Sequence, residues 1–135
     1  MYVLFTTFIN IYLHTCTYKG VTNMNVLETS KVLSDLQALR IISLTQRKPC
    51  SAQELSEELN SPLAGIYKKI KELEIAGLIT DNDRILMPYG KRVTRYRSVV
   101  RGFYVQFYNN ELRVTLELDS DEQSVKMTWN PLQNI

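Results

Sequence analysis

An α+β fold is what this 135-residue sequence predicts, and three observations carry the expectation. Ser51-Ala-Gln-Glu54 has the pattern of a capping box in front of a helix. Pro62–Ala76 repeats apolar residues at helical spacing and stops at Gly77. From Gly102 onward the repeat shortens to two, the period of a strand with one covered face.

Taken in order, the capping box starts a short helix that runs through Leu59, followed by a break at Asn60-Ser61-Pro62. Ser61 is expected as the N-cap of the next helix, with Pro62 at the first helical position, where its missing amide costs nothing. That second helix runs to about Ala76. Two short β-prone runs, Leu78–Thr80 with Ile85–Met87, and then Val93–Val99 follow, separated by the basic turn at residues 88–92. Helix, tight turn, helix and basic hairpin together make a winged helix-turn-helix.

At about 100° per residue, Ile66, Ile70 and Leu73 form one stripe of the second helix, with Leu63 and Ile75 toward its margins. The opposite side carries Ala64, Gly65, Lys68 and Lys71, flanked by Tyr67 and Lys69. Two small residues followed by lysines suit a helix that enters the DNA major groove: the backbone can approach base edges while lysines meet phosphates. Ser61, Ala64, Gly65, Tyr67, Lys68, Lys69 and Lys71 are therefore the candidate DNA-binding residues of the helix, with Lys91 and Arg92 at the hairpin tip. A solvated lysine face on an ordinary amphipathic helix is the plainer alternative.

At these residues the chain resembles a known family. Residues 34–44, 51–59 and 66–79 look like the arsenic-repressor-like (ArsR-like) winged-helix regulators, nearest the archaeal members that have no metal site; the resemblance covers about Met24 to Val99. It implies a homodimeric transcriptional regulator that binds double-stranded DNA, with 62–76 as recognition helix. The Cys-x-Cys pair of the metal-sensing members is missing here, and Gly65 stands where many relatives carry Ser or Thr.

The charge distribution supports a polyanionic partner. The whole chain has a net charge of +2. Between Pro62 and Arg101, nine Lys or Arg face four acids, a local excess of five, whereas residues 102–135 carry two basic and five acidic residues. Cys16 and Cys50 lie in unrelated contexts and fit a reducing cytoplasm. His14-x-Cys16 supplies two ligands at most, so neither metal nor cofactor is expected. One histidine, no Gly-rich phosphate loop and no nucleophile elbow argue against an enzyme. Asp81 and Asp83 flank Asn82 and read as turn residues of the wing.

Met1–Leu13 is uncharged and apolar but shorter than a membrane span, and it lacks the basic start of a secretory signal. Three accounts of residues 1–23 stay open: translation beginning at Met24, an element packing across a dimer, or a membrane-surface anchor. In the C-terminal third, Asn109-Asn110 tolerates positive φ and predicts an antiparallel β-hairpin with Phe107 opposite Leu112, Val105 opposite Val114 and Phe103 opposite Leu116. The six apolar side chains then share one face, to be covered by the chain's own helices or by a second subunit. Val125, Met127 and Trp129 suggest one further strand. The leading function is sequence-specific transcription regulation. The alternative is a winged-helix module that binds protein, its C-terminal hairpin adding a strand to the partner.

Overall fold

The computed structural model describes residues 25–119 and 124–132; the N-terminal segment, with His14 and Cys16, lies outside them. Helix α1 (Val26–Leu33) is capped by Asn25, whose side chain accepts from the Glu28 amide at 2.8 Å. Helix α2 (Leu36–Arg47) is capped by Asp35, which accepts from the Ala38 amide at 2.9 Å. A two-residue strand β1 (Cys50–Ser51) leads into α3 (Ala52–Leu59), and α4 (Leu63–Ile75) follows. Five β-strands complete the chain: β2 (Ile79–Leu86), β3 (Arg92–Ser98), β4 (Val100–Tyr108), β5 (Glu111–Leu118) and β6 (Ser124–Trp129).

The fold is α+β, as expected, with two antiparallel sheets ordered β1-β3-β2 and β4-β5-β6. The core joins them. Leu33, Ile41, Leu55, Ile66, Ile70, Leu73 and Leu78 from the helical half and Val100, Val114, Leu116 and Leu118 from the second sheet are all at most 2 % exposed. Helix α1 covers part of the second sheet, packing on β5 and β6. The junction is pinned by Gln46, whose Nε2 donates to the carbonyl oxygens of Val100 (2.9 Å) and Arg101 (3.2 Å).

Local chemistry explains the helix ends. Ser51 Oγ accepts from the Glu54 amide at 3.1 Å, the first of the two bonds of a capping box. Asn60 closes α3 in the left-handed region, at φ 49°. Gly77, at φ 74°, ends α4 in a Schellman motif: its amide reaches the Glu74 carbonyl, and the Leu78 amide reaches that of Leu73 at 2.9 Å.

Two expectations are corrected. Ser61 does not cap α4. Pro62 holds the N-cap position in an extended conformation without a side-chain bond, while Ser61 Oγ donates to the Leu59 carbonyl and accepts from Gln37 Nε2 at 3.0 Å. The bond to Gln37 ties the turn to α2, and a local cap would forfeit it. Nor do residues 81–83 form a turn. Thr80 and Ile85 belong to a single strand, Ile79–Leu86, whose register shifts between Asp81 and Asp83, a β-bulge that absorbs one extra residue. The Asp83 carboxylate meets the Arg95 guanidinium across the ladder on both nitrogens, Nε lying at 2.8 Å from Oδ1. This fork makes strand more favourable than turn.

The C-terminal hairpin forms in the expected register. Phe107 lies opposite Leu112, Val105 opposite Val114 and Phe103 opposite Leu116, around Asn109 and Asn110 at φ 52° and 63°. Strand β6 extends the face, with Val125 beside Leu116, Met127 beside Val114 and Trp129 beside Leu112.

Candidate nucleic-acid interface

Helix α4 presents two unlike faces. Ile66, Ile70 and Leu73 are buried, each burial worth about 1.5–3 kcal/mol relative to exposure. Ala64, Gly65, Tyr67, Lys68 and Lys71 are exposed, as the helical repeat indicates. Leu63 and Ile75, on the margins, are partly exposed at 39 % and 46 %.

Lys68 and Lys71 take part in no ion pair among the described residues, and the same holds for Lys91 and Arg92. Lys69 differs. Its ammonium sits 3.2 Å from Asp35 and 2.9 Å from Glu72, with about a fifth of the side chain exposed. The contacts with Glu72 and Asp35 raise its pKa, opposed by burial. The Ala38 amide holds the Asp35 carboxyl below the usual carboxylate range, with Lys69 assisting against burial. Because this carboxyl's folded pKa is depressed, its stabilising effect is present at neutral pH and is lost as pH falls through the lowered value. Lys69 thus fastens α4 to the N-terminus of α2. Ser61 is engaged too, through Gln37 and Leu59. The structure brings the other candidates of α4 onto one open face and leaves these two occupied within the fold.

Gly65 is the informative small residue. A Cβ built there meets nothing within 4 Å, and glycine, here in the first turn of α4, costs a helix up to about 1 kcal/mol relative to alanine. No contact within the described residues requires it. A surface that must be approached closely by a partner's backbone or base edges does give a reason. Gly65→Ala is therefore expected to raise thermal stability by up to about 1 kcal/mol while weakening duplex DNA binding by about 1 kcal/mol, roughly fivefold. Calorimetric melting and fluorescence anisotropy read the two effects separately.

The β2–β3 hairpin follows α4 directly. Its tip is closed by the Met87 amide donating to the Lys91 carbonyl at 2.8 Å and the Gly90 amide to that of Met87 at 2.9 Å. Gly90 sits at φ 85°, a conformation that disfavours any side chain. Tyr89, Lys91 and Arg92 project as exposed residues. Below the tip, the Arg95 guanidinium holds the Asp83 carboxyl under its usual range. That contribution to the hairpin is likewise present at neutral pH and lost in acid.

A shallow cleft of about 330 Å³ lies elsewhere, lined by Leu44, Lys48, Cys50, Glu54, Glu57 and Glu58. Cys50 is buried, and burial pushes its thiol pKa up, which makes it a structural side chain rather than a nucleophile. Among the described residues no group of three or more His, Cys, Asp or Glu is placed to hold a metal ion, and no helix is long and apolar enough to cross a membrane.

Comparison with known families gives a match over the helical part of the chain. Residues 33–82 match the model of a family described as a helix-turn-helix domain. The match takes in α2, α3, α4 and the start of β2. Helices α3 and α4, joined by the turn at residues 60–62, lie within the matched stretch, and the match supports a DNA-binding regulator. No curated protein matches the chain.

Proposed function

We propose that the protein is a sequence-specific DNA-binding transcriptional regulator of the ArsR-like winged-helix type, acting as a homodimer without metal or cofactor. The observation that carries this reading is the open face of α4: small residues at its N-terminal end, Lys68 and Lys71 in no ion pair among the described residues, and a basic hairpin tip next in the chain. In this reading α4 enters the major groove, where Ala64 and Gly65 permit close approach and Tyr67 meets base edges. Lys68 and Lys71 contact phosphates. Lys69 acts from within the fold, orienting α4 through Asp35. The hairpin is the wing, and Lys91 and Arg92 reach the backbone or the adjacent minor groove, where narrow A·T tracts attract Arg.

A helix-turn-helix that reads a few base pairs gains specificity by pairing half-sites about 34 Å apart, which two-fold symmetry supplies. The wing provides the test. Lys91→Ala and Arg92→Ala together are expected to weaken binding to all duplexes nearly alike and to lower the log–log salt slope by about 1.8. Anisotropy titrations at several salt concentrations measure this. An unchanged slope would mean that the tip points away from DNA, and the protein-binding alternative would then lead.

A further inference from the structure

Among the described residues, four strands form the edges of the two sheets, and three are protected against pairing with another chain. Strand β1 has two residues. Strand β2 carries Asp81, Asp83 and Arg84 and a bulge. Strand β6 carries an exposed Lys126 and is followed by Pro131. Short length, charge, bulges and proline are the usual means of blunting an edge. Strand β4 has them only at its start, where Arg101 sits at a register shift between Val100 and Gly102; from Gly102 to Tyr108 the run Gly-Phe-Tyr-Val-Gln-Phe-Tyr contains neither charge nor proline. Four of its side chains, Tyr104, Val105, Phe107 and Tyr108, are 43–65 % exposed.

The hairpin geometry determines which backbone groups this edge offers. A two-residue turn with both central residues at positive φ is closed by a hydrogen-bonded pair, here Tyr108 with Glu111. Hydrogen-bonded pairs alternate, so Tyr104 and Gln106 turn their amides and carbonyls toward β5. Phe103, Val105 and Phe107 turn theirs away from it.

We infer that β4 pairs antiparallel with β4 of a second copy of this chain, about a two-fold axis at Val105, and that this edge forms the dimer. The inference rests on the homodimeric reading and supplies its interface. Centring the axis on Val105 pairs all three outward-facing residues at once, Val105 with its own counterpart and Phe103 of each copy with Phe107 of the other. The result is about six backbone hydrogen bonds. A strand that meets itself places each charge near its own like, so an uncharged run suits this partner. Phe107, 65 % exposed, comes beside a Phe103 that already packs against the core, an aromatic cross-strand pair. The pairing is isologous and closes, because the outer edges are then the two β6 strands with Lys126.

Val105→Pro tests this selectively. It removes an amide that points away from β5, so the β4–β5 ladder keeps its bonds and proline sits where an edge strand tolerates it. Sedimentation of the full chain should give a dimer for the wild type and a monomer for Val105→Pro, with an unchanged far-ultraviolet spectrum. The amides of Phe103, Val105 and Phe107 should exchange slowly with solvent at high protein concentration and at least tenfold faster on dilution to the monomer. Should the proline variant fail to fold, Val105→Lys places a charge on the same edge without altering the backbone, and it too should be monomeric. A dimeric variant would overturn this interface while leaving the homodimer standing. A monomeric wild type, or slow exchange of the three amides that is unchanged on dilution, would overturn the interface.

Discussion

Ile70→Asp is expected to destabilise the helix-turn-helix by about 4 kcal/mol or more, enough to unfold much of the protein at neutral pH. Ile70 is 2 % exposed and stands between Ile66 and Leu73 on the buried stripe of α4. The substitution removes an apolar side chain worth about 1.5–3 kcal/mol of burial and places a carboxylate within the apolar core. Such a carboxyl has its folded pKa raised, so the variant should be least stable above the ordinary carboxylate range and should recover part of its stability as pH falls through the raised value. Ile70→Val, which keeps the shape, should cost only about 1 kcal/mol. Urea titrations of both variants at neutral and mildly acid pH check the size and the sign.

Lys68→Ala combined with Lys71→Ala should have the opposite profile. Both side chains are exposed and unpaired among the described residues, so the melting temperature should stay within about 2 °C of the wild type. Duplex binding should fall by about 1–2 kcal/mol per lysine, roughly thirtyfold to nearly a thousandfold together, with a loss of about 1.8 in salt slope. Lys69→Ala is the informative control. It removes the ion pair to Asp35 and Glu72, so it should lower stability by about 1 kcal/mol. A pattern in which Lys68→Ala melts the protein and leaves DNA binding intact would mean that the faces of α4 have been exchanged.

What could be read in advance was what local rules control. The register of the C-terminal hairpin followed from Asn109-Asn110, because two residues at positive φ leave one way to pair the flanking strands. The end of α4 followed from Gly77. The burial of Ile66, Ile70 and Leu73 followed from the helical repeat. The misreadings all depended on partners distant in sequence. Ser61 has the chemistry of an N-cap, but Gln37 takes its hydroxyl. Asp81-Asn82-Asp83 has the composition of a turn, but Arg95 holds Asp83 in a bulged strand. Lys69 belongs with its neighbours on a helical wheel, but Asp35, on a different helix cap, withdraws it from the open face. The covering of the hairpin face also turned out divided. The side near Val114 and Leu116 is buried, while Val105 and Phe107 stay open, an arrangement periodicity alone does not specify.

In the proposed reading the open face of α4 and the hairpin tip recognise duplex DNA as a symmetric pair. Selection of bound duplexes from a random pool by the purified full chain tests it most directly. The expected result is enrichment of a palindromic motif whose half-sites lie about one helical turn, roughly 34 Å, apart, and loss of that motif when Lys68 and Lys71 are both replaced by alanine. A pool that emerges without an enriched sequence, or with the same motif from that double variant, would contradict it.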